Sequence, residues 1–373
     1  MPKRDNHIIK YKLKKGIRYK YKAYLGLDPL TQRKVERTKA GFTTYNDAKI
    51  AYDKAIAGGL DSIIRTDHIT INQLFDQWFA SYINQVKPST ANKKLIAYNT
   101  HIRDTFGQKE PKSITTIMLQ KYANKLATQL VKYSEPVLLL KALMQQAIIL
   151  GYINTSPFKR FKMPRKTTRP RRDVSDNFYN KSDLKEFLAA ANKYSKRVYT
   201  YFMLLASTGM RKSEGLALTW DDIHFDESYI DINKTLALGM HNKLIVQDPK
   251  SHKSKRHVPL SDNLKRCLLE YRKDETGFNK LFHTSDDQYL SLPKPRKWLL
   301  SIYKANPDLK QITLHGFRHT FASILIESNP RIKPTDVQAV MGHETVQMTL
   351  NIYTHVTDKG KDNIKNSLNN LDF

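Results

Sequence analysis

The sequence is poor in several things, and each scarcity narrows what the chain can be. A single cysteine, Cys267, stands among 373 residues. No intrachain disulfide framework is possible, and a reducing, cytoplasmic setting is expected. No apolar run reaches the ~18 residues of a membrane span. The opening MPKRDNHIIKYKLKKG lacks the apolar core of a secretory signal, so export is not expected either. Acids are scarce: 35 Asp+Glu against 63 Lys+Arg gives 63 − 35 = +28 with histidine neutral. That excess calls for a polyanionic partner. The cations spread along the whole chain, which favours nucleic acid over a membrane surface. With 40% apolar and 10% aromatic residues the chain can bury real cores, and at ~150 residues per domain its length suggests two to three of them.

Residues 1–58 hold the most lopsided charge. Ile17, Tyr19, Tyr21, Ala23 and Leu25 alternate with Arg18, Lys20, Lys22 and Tyr24, the period of a strand with one wet, basic face. Asp28-Pro29 marks a turn, Arg33 to Lys39 reads as the returning strand, and Thr43 or Thr44 opens a short helix that Gly58-Gly59 stops. A two-stranded basic ribbon fits a DNA major groove, so Arg18, Lys20 and Lys22 are candidate DNA contacts. Residues 59–69 read as a linker. From Thr70 the period becomes helical: Ile71, Leu74, Phe75, Trp78, Phe79 and Tyr82 form a broad apolar stripe. Further helices are expected over 89–105, 114–128 and 136–150, which makes 70–158 a four-helix domain. Residues 159–178 are dense in cations at their start and carry prolines at 164 and 170. They read as a basic linker crossing phosphates, with Lys166, Arg169, Arg171 and Arg172 as contacts. Residues 179–373 form the last unit. Helices are expected at 182–192 and 196–207, strands at 228–236, 242–248 and 255–260, and helices thereafter. Its tail carries Ile364, Leu368 and Leu371 at helical spacing, a helix too short to stand without a docking surface. The fold class is multidomain and mainly α with small β-sheets.

Four clusters in the last unit bear chemistry. In Thr208-Gly209-Met210-Arg211-Lys212-Ser213-Glu214, Arg211 and Glu214 are three apart and share a helix face; taken alone, a surface ion pair explains them. Asp248 to Leu260 reads as a hairpin turn holding Lys250, Lys253 and Lys255. In His315-Gly316-Phe317-Arg318-His319 the two histidines have the i,i+4 spacing of a zinc helix. The accompanying glutamate is missing, and Arg318 would stand beside the metal. The fourth cluster is Met341-Gly342-His343-Glu344 with Tyr353. Together they suit attack on a phosphodiester. Arginine forks match phosphate oxygens, and histidine and lysine donate or pass protons. No acidic cluster for Mg²⁺ accompanies them, which favours a covalent route without metal or other cofactor.

The order Arg211…Lys250…His315-x-x-Arg318…His343…Tyr353 resembles the tyrosine recombinases, especially integrases of temperate phages and integrative elements. The motifs TGMRKSEGLALTWDDI, HGFRHTFAS and MGHETVQMTLNIYTH carry the likeness, which runs along the whole chain. It implies an arm-binding domain (1–58), a helical core-binding domain (70–158) and a mixed α+β catalytic domain. Tyr353 would attack the scissile phosphate to leave a 3′-phosphotyrosyl link. Arg211 and Arg318 would clamp the phosphate, and Lys250 (or Lys253 or Lys255, were the match shifted) would protonate the leaving oxygen. His315 and His343 would assist, and Glu214 would hold the site together. The expected partners are duplex DNA at attachment sites, a homotetramer on that DNA, a host DNA-bending protein and an excisionase. Resolution of replicon dimers, a nicking–closing topoisomerase and a non-catalytic regulator are the alternatives. Dimer-resolving enzymes usually lack a unit like 1–58, and all six catalytic positions are filled here.

Overall fold

The computed structural model describes residues 6–13, 16–27, 34–59, 68–165, 177–249, 254–329 and 331–342. The chain divides into two compact units, Met1–Thr167 and Thr168–Phe373.

The first unit opens with β1 (Ile8–Leu13), β2 (Gly16–Leu27) and β3 (Lys34–Phe42), an antiparallel sheet in that order. The ribbon is therefore three-stranded, not two-stranded. Ile8-Ile9-Lys10-Tyr11-Lys12-Leu13 adds a strand in register with β2, Ile8 facing Tyr21 and Lys12 facing Ile17. Helix α1 (Tyr45–Gly58) starts on Thr44, whose hydroxyl accepts from the Asp47 amide. It covers one sheet face, where Tyr21, Ala23 and Leu25 are buried with Ala48 and Ala55. Ile17, expected on that inner face, is exposed because it lies near the open end of β2.

A second core in this unit is helical. Thr70 and Gln73 form a capping box for α2 (Ile71–Tyr82), whose Ile71, Leu74 and Phe75 are buried. Helix α3 (Pro88–Ala97) passes through a π-turn at Tyr98–Ile102 into α4 (Arg103–Phe106). The insertion turns Tyr98 inward to stack on Phe75 at 3.6 Å and to donate to Asn72 Oδ1 at 2.7 Å. Gly107 ends this run with right-handed φ. It is needed for space, since a Cβ there would lie 2.3 Å from the Arg103 carbonyl and 2.5 Å from Asn72 Oδ1. Helices α5 (Thr116–Gln129) and α6 (Ser134–Ile149) complete the domain, with Leu140, Leu143 and Met144 at its centre.

The second unit packs α7 (Lys181–Tyr194) and α8 (Lys196–Thr208) around a cluster of Tyr179, Phe187, Phe202 and Phe317. One turn, α9 (Lys212–Gly215), follows. Strands β4 (Ile223–His224), β5 (Tyr229–Ile232) and β8 (Arg256–Pro259) make one antiparallel sheet; β6 (Thr235–Leu238) and β7 (Leu244–Gln247) make another. This corrects the reading of Asp248–Leu260 as a hairpin turn. β7 closes its hairpin with β6, and β8 crosses to pair with β5, placing Val258 opposite Ile230 in the core. Helices α10 (Asp262–Arg272), α11 (Lys294–Ala305), α12 (Gly316–Ser328) and α13 (Pro334–Met341) follow. Residues 361–371 lie outside the described residues.

Helix α8 ends on Gly209 at φ 62, in the left-handed region. A Cβ there would meet Phe321 Cδ1 at 2.5 Å. Gly209→Ala is expected to lower stability by about 2 kcal/mol, from left-handed strain plus displacement of the ring. Urea unfolding measures it, and a loss under about 0.5 kcal/mol, the range of a neutral surface change, would show that the ring yields freely.

Candidate active site

The turn after Gly209 sets the first arginine. Arg211 is the N-cap of α9, and its backbone amide donates to Glu214 Oε2 at 2.9 Å while its Nη1 donates to Oε1 at 2.7 Å. Glu214 is buried and takes a third bond, 3.1 Å from Arg256 Nη2. Burial alone would raise the Glu214 carboxyl, but the charges and hydrogen bonds of Arg256 and Arg211 outweigh it and hold it below the usual range. The pair is therefore a plinth for Arg211 and not a surface ion pair.

Arg256 was not among the expected residues. Its side chain is 5% exposed; Nε donates to the Val340 carbonyl at 2.7 Å and Nη1 to the Ser254 carbonyl at 3.1 Å. Arg211 Nη2 donates to the Gly342 carbonyl at 3.2 Å. Two arginines thus hold the carboxyl end of α13, where cations meet the negative end of the helix dipole. A sequence signal for Arg256 existed: it shares strand period with Val258 and Leu260, and a cation on an inward face requires a buried acid.

Arg318 sits in the first turn of α12, buried, with Nη1 donating to the Gly209 carbonyl at 2.7 Å. Burial, then Arg211 and Arg256, pull it down to about 9, and Glu214 opposes them; it remains a cation at pH 7. His315 is the N-cap of the same helix. Arg211, His315 and Arg318 line one cavity of about 600 Å³. Two arginines bond one carboxylate here and a third, Arg318, feels its charge, and the surplus positive charge suits a phosphate.

Burial pushes the His315 imidazole down to about 4, with repulsion from His319, Arg318 and Arg211 added. By surface area His315 is an exposed residue, so solvent offsets part of the desolvation and screens the repulsion, and the downward direction carries the argument: His315 is neutral at pH 7 and can accept a proton. In a ¹³C-histidine NMR titration it is expected to inflect clearly below the ordinary 6.5. A value at or above 6.5 would sink this reading. As pH falls from 6.5 the unfolded chain takes this proton before the native one does, so stability falls toward pH 4.

His315 and His319 meet edge to face at 4.8 Å. Among the described residues no third histidine, cysteine or carboxylate joins them in a group that could hold a metal ion. Lys250, His343 and Tyr353 lie outside the described residues, as do Lys166, Arg169, Arg171, Arg172 and Lys253. Lys255 pairs with Asp248 at 3.0 Å. In the sheet, Lys22 pairs with Glu36 on β3 at 2.7 Å, and Lys20 lies 5.9 Å over the Tyr11 ring. Arg18 bonds weakly to its neighbour's carbonyl at 3.4 Å.

Residues 177–360 match the model of the phage integrase family, and residues 70–127 match the N-terminal SAM-like domain of phage integrases. The chain belongs to the phage integrase family. It is a tyrosine site-specific recombinase, an enzyme that breaks and rejoins DNA in integration. The ICEBs1 integrase of Bacillus subtilis (strain 168) is 24% identical over 387 residues, covering 96% of this chain and 99% of the relative. A tyrosine recombinase XerC-like protein of Caldanaerobacter subterraneus subsp. tengcongensis is 27% identical, covering 87% and 88%. Among solved structures, the Tn1549 transposon integrase in complex with transposon right end DNA superposes with a TM-score of 0.62 at 20% identity, over 80% of this chain and 99% of that one. A lambda integrase tetramer bound to a Holliday junction gives 0.58 at 16% identity, over 94% and 96%. These likenesses establish the mainly helical fold with small antiparallel sheets. Among the described residues no helix is long and apolar enough to cross a membrane.

Proposed function

We propose that this recombinase cleaves each strand of its attachment sites by attack of the Tyr353 hydroxyl on the scissile phosphate. A phosphorus–oxygen bond to tyrosine forms, and the bond to the 5′-oxygen breaks. The 5′-oxygen leaves with a proton from Lys250, and a 3′-phosphotyrosyl link remains. Arg211 and Arg318 hold the non-bridging oxygens, His343 donates to them, and neutral His315 takes up the proton that the Tyr353 hydroxyl sheds. Bond energy is kept in the phosphotyrosine, so the return attack by a 5′-hydroxyl of the partner duplex rejoins DNA without a nucleotide cofactor.

The carrying observation is the convergence of Arg211, Arg318 and His315 on one cavity, with Glu214 and Arg256 beneath Arg211. The assembly on DNA is a homotetramer acting in the bacterial cytoplasm, with integration and excision both within its reach. A host DNA-bending protein and an excisionase are the accessory partners. The sheet of residues 1–58 and the basic stretch 159–178 bind DNA outside the core site. The domains divide at 58, 69, 158 and 178. Two cores within the first unit, one of sheet and one of helices, support separating 1–58 from 70–158.

The test uses the native chain and nicked duplexes covering the ends of the DNA segment that carries the gene. A denaturing gel followed by mass spectrometry of the linked peptide is expected to place DNA on Tyr353. A link on another residue, or none on either end, would overturn the proposal.

A further inference from the structure

The cavity that holds Arg211 and Arg318 has a second wall. Helix α11 presents Arg296, Leu299, Leu300 and Tyr303 to it, positions spaced i, i+3, i+4 and i+7 along one helix face. Arg296 is exposed, and none of the hydrogen bonds, ion pairs or ring contacts among the described residues involves it. Among the described residues the lining includes Arg211, Lys212, Arg296 and Arg318 and no Asp or Glu. Arg296 also stands in the first turn of α11 with Lys294 and Lys297, a turn that contains no acid. Cations at a helix start oppose the macrodipole. Arg296 is therefore an arginine held at an unfavourable place, facing a cationic cavity, with no acid among the described residues paired to it.

We propose that Arg296 grips the backbone phosphate next to the scissile one, fixing the register of the strand in the Arg211–Arg318 clamp. This rests on the reading of the cavity as the cleavage site. Each nucleotide of a strand carries one phosphate, and a cavity of about 600 Å³ has room for one phosphate and the approach of its neighbour. Leu300, exposed on the same helix face, offers the intervening sugar an apolar surface. Arginine suits the task because its fork takes two phosphate oxygens at once.

The experiment compares the native chain with Arg296→Gln, Arg296→Lys and Lys294→Gln on nicked duplexes covering the ends of the gene-bearing DNA segment. Binding is followed by gel shift across a salt series, and covalent adduct is scored beside it. Arg296→Gln is expected to bind about tenfold more weakly and to lower the salt slope by about one. Arg296→Lys should keep the slope and lose part of the affinity. Lys294→Gln, on the same turn but lining a different cavity, should lose less than Arg296→Gln. An unchanged slope and affinity in Arg296→Gln would overturn the proposal, as would an equal loss in Lys294→Gln, which would mark a diffuse charge effect. Failure of the native chain to form adduct would count against the covalent reading, while the salt slope would still decide the role of Arg296.

Discussion

Glu214→Ala is expected to destabilise the free protein by about 3–5 kcal/mol, because it strands a buried charge. The Glu214 side chain is 2% exposed and that of Arg256 is 5% exposed. Removing the carboxylate leaves the Arg256 guanidinium buried beside Arg211 and Arg318 with its neutralising partner gone. The carbonyls of Ser254 and Val340 still accept from it, but they carry no compensating charge. Arg211 loses both of its bonds to the carboxylate, so adduct formation should fall by about 10² or more, the scale for losing one preorganised donor. Glu214→Gln keeps the shape and one acceptor and should fall between the native chain and the alanine variant. The sign with pH follows from the lowered carboxyl: its contribution is present above the unfolded value of 4.5 and is lost as pH falls through the native one. Acid therefore weakens the site twice, through His315 first and Glu214 below it. Urea unfolding at pH 7, at pH 4.5, where the His315 loss has set in, and in more acid buffer, below the unfolded carboxyl value, separates the two effects. An unchanged midpoint for Glu214→Ala at pH 7 would show that Arg256 finds another anion.

What could be read from sequence here is what is local. Arg211 with Glu214, and His315 with Arg318, are three apart, and short spacing survives translation into structure because one turn of chain fixes it. The start of a helical period at Thr70 and the stripe from Ile71 to Tyr82 were legible for the same reason. Arg318 reaching the Gly209 carbonyl spans 109 residues, and Arg256 reaching Glu214 spans 42. No local pattern encodes either distance. The misread hairpin has the same cause. Leu244–Gln247 and Arg256–Pro259 look like consecutive strands, but pairing is decided by which sheet has an apolar place for Val258. The π-turn at Tyr98–Ile102 sits inside an uninterrupted helical period and is set by the stacking of Tyr98 on Phe75. Arg256 is the instructive case, since its inward strand phase was visible and its partner was not.

Tyr353→Phe is expected to abolish the covalent band while DNA binding stays nearly unchanged, and the structure supplies the control that makes this specific. The nucleophile must be a tyrosine that can shed its proton near a cationic phosphate site. Tyr303 lines the same cavity as Arg211 and Arg318, so proximity alone would nominate it. Its hydroxyl is already engaged: it lies 2.7 Å from the Tyr179 hydroxyl and accepts from the Ile312 amide at 2.9 Å. Burial pushes the phenol up, only partly offset by the bonds to Tyr179 and Ile312. Tyr179, Tyr201 and Tyr271 are buried as well, and burial raises each of them. An ordinary phenol already costs about 4 kcal/mol to ionise at pH 7, and each of these costs more. Tyr303→Phe should therefore keep the adduct and lose only about 1–2 kcal/mol of stability, from the buried Ile312 amide left without its acceptor. The pair of variants is run on the same nicked duplexes with a thermal melt of each protein. Adduct that persists in Tyr353→Phe and vanishes in a folded Tyr303→Phe would move the nucleophile into the described cavity wall and overturn the assignment.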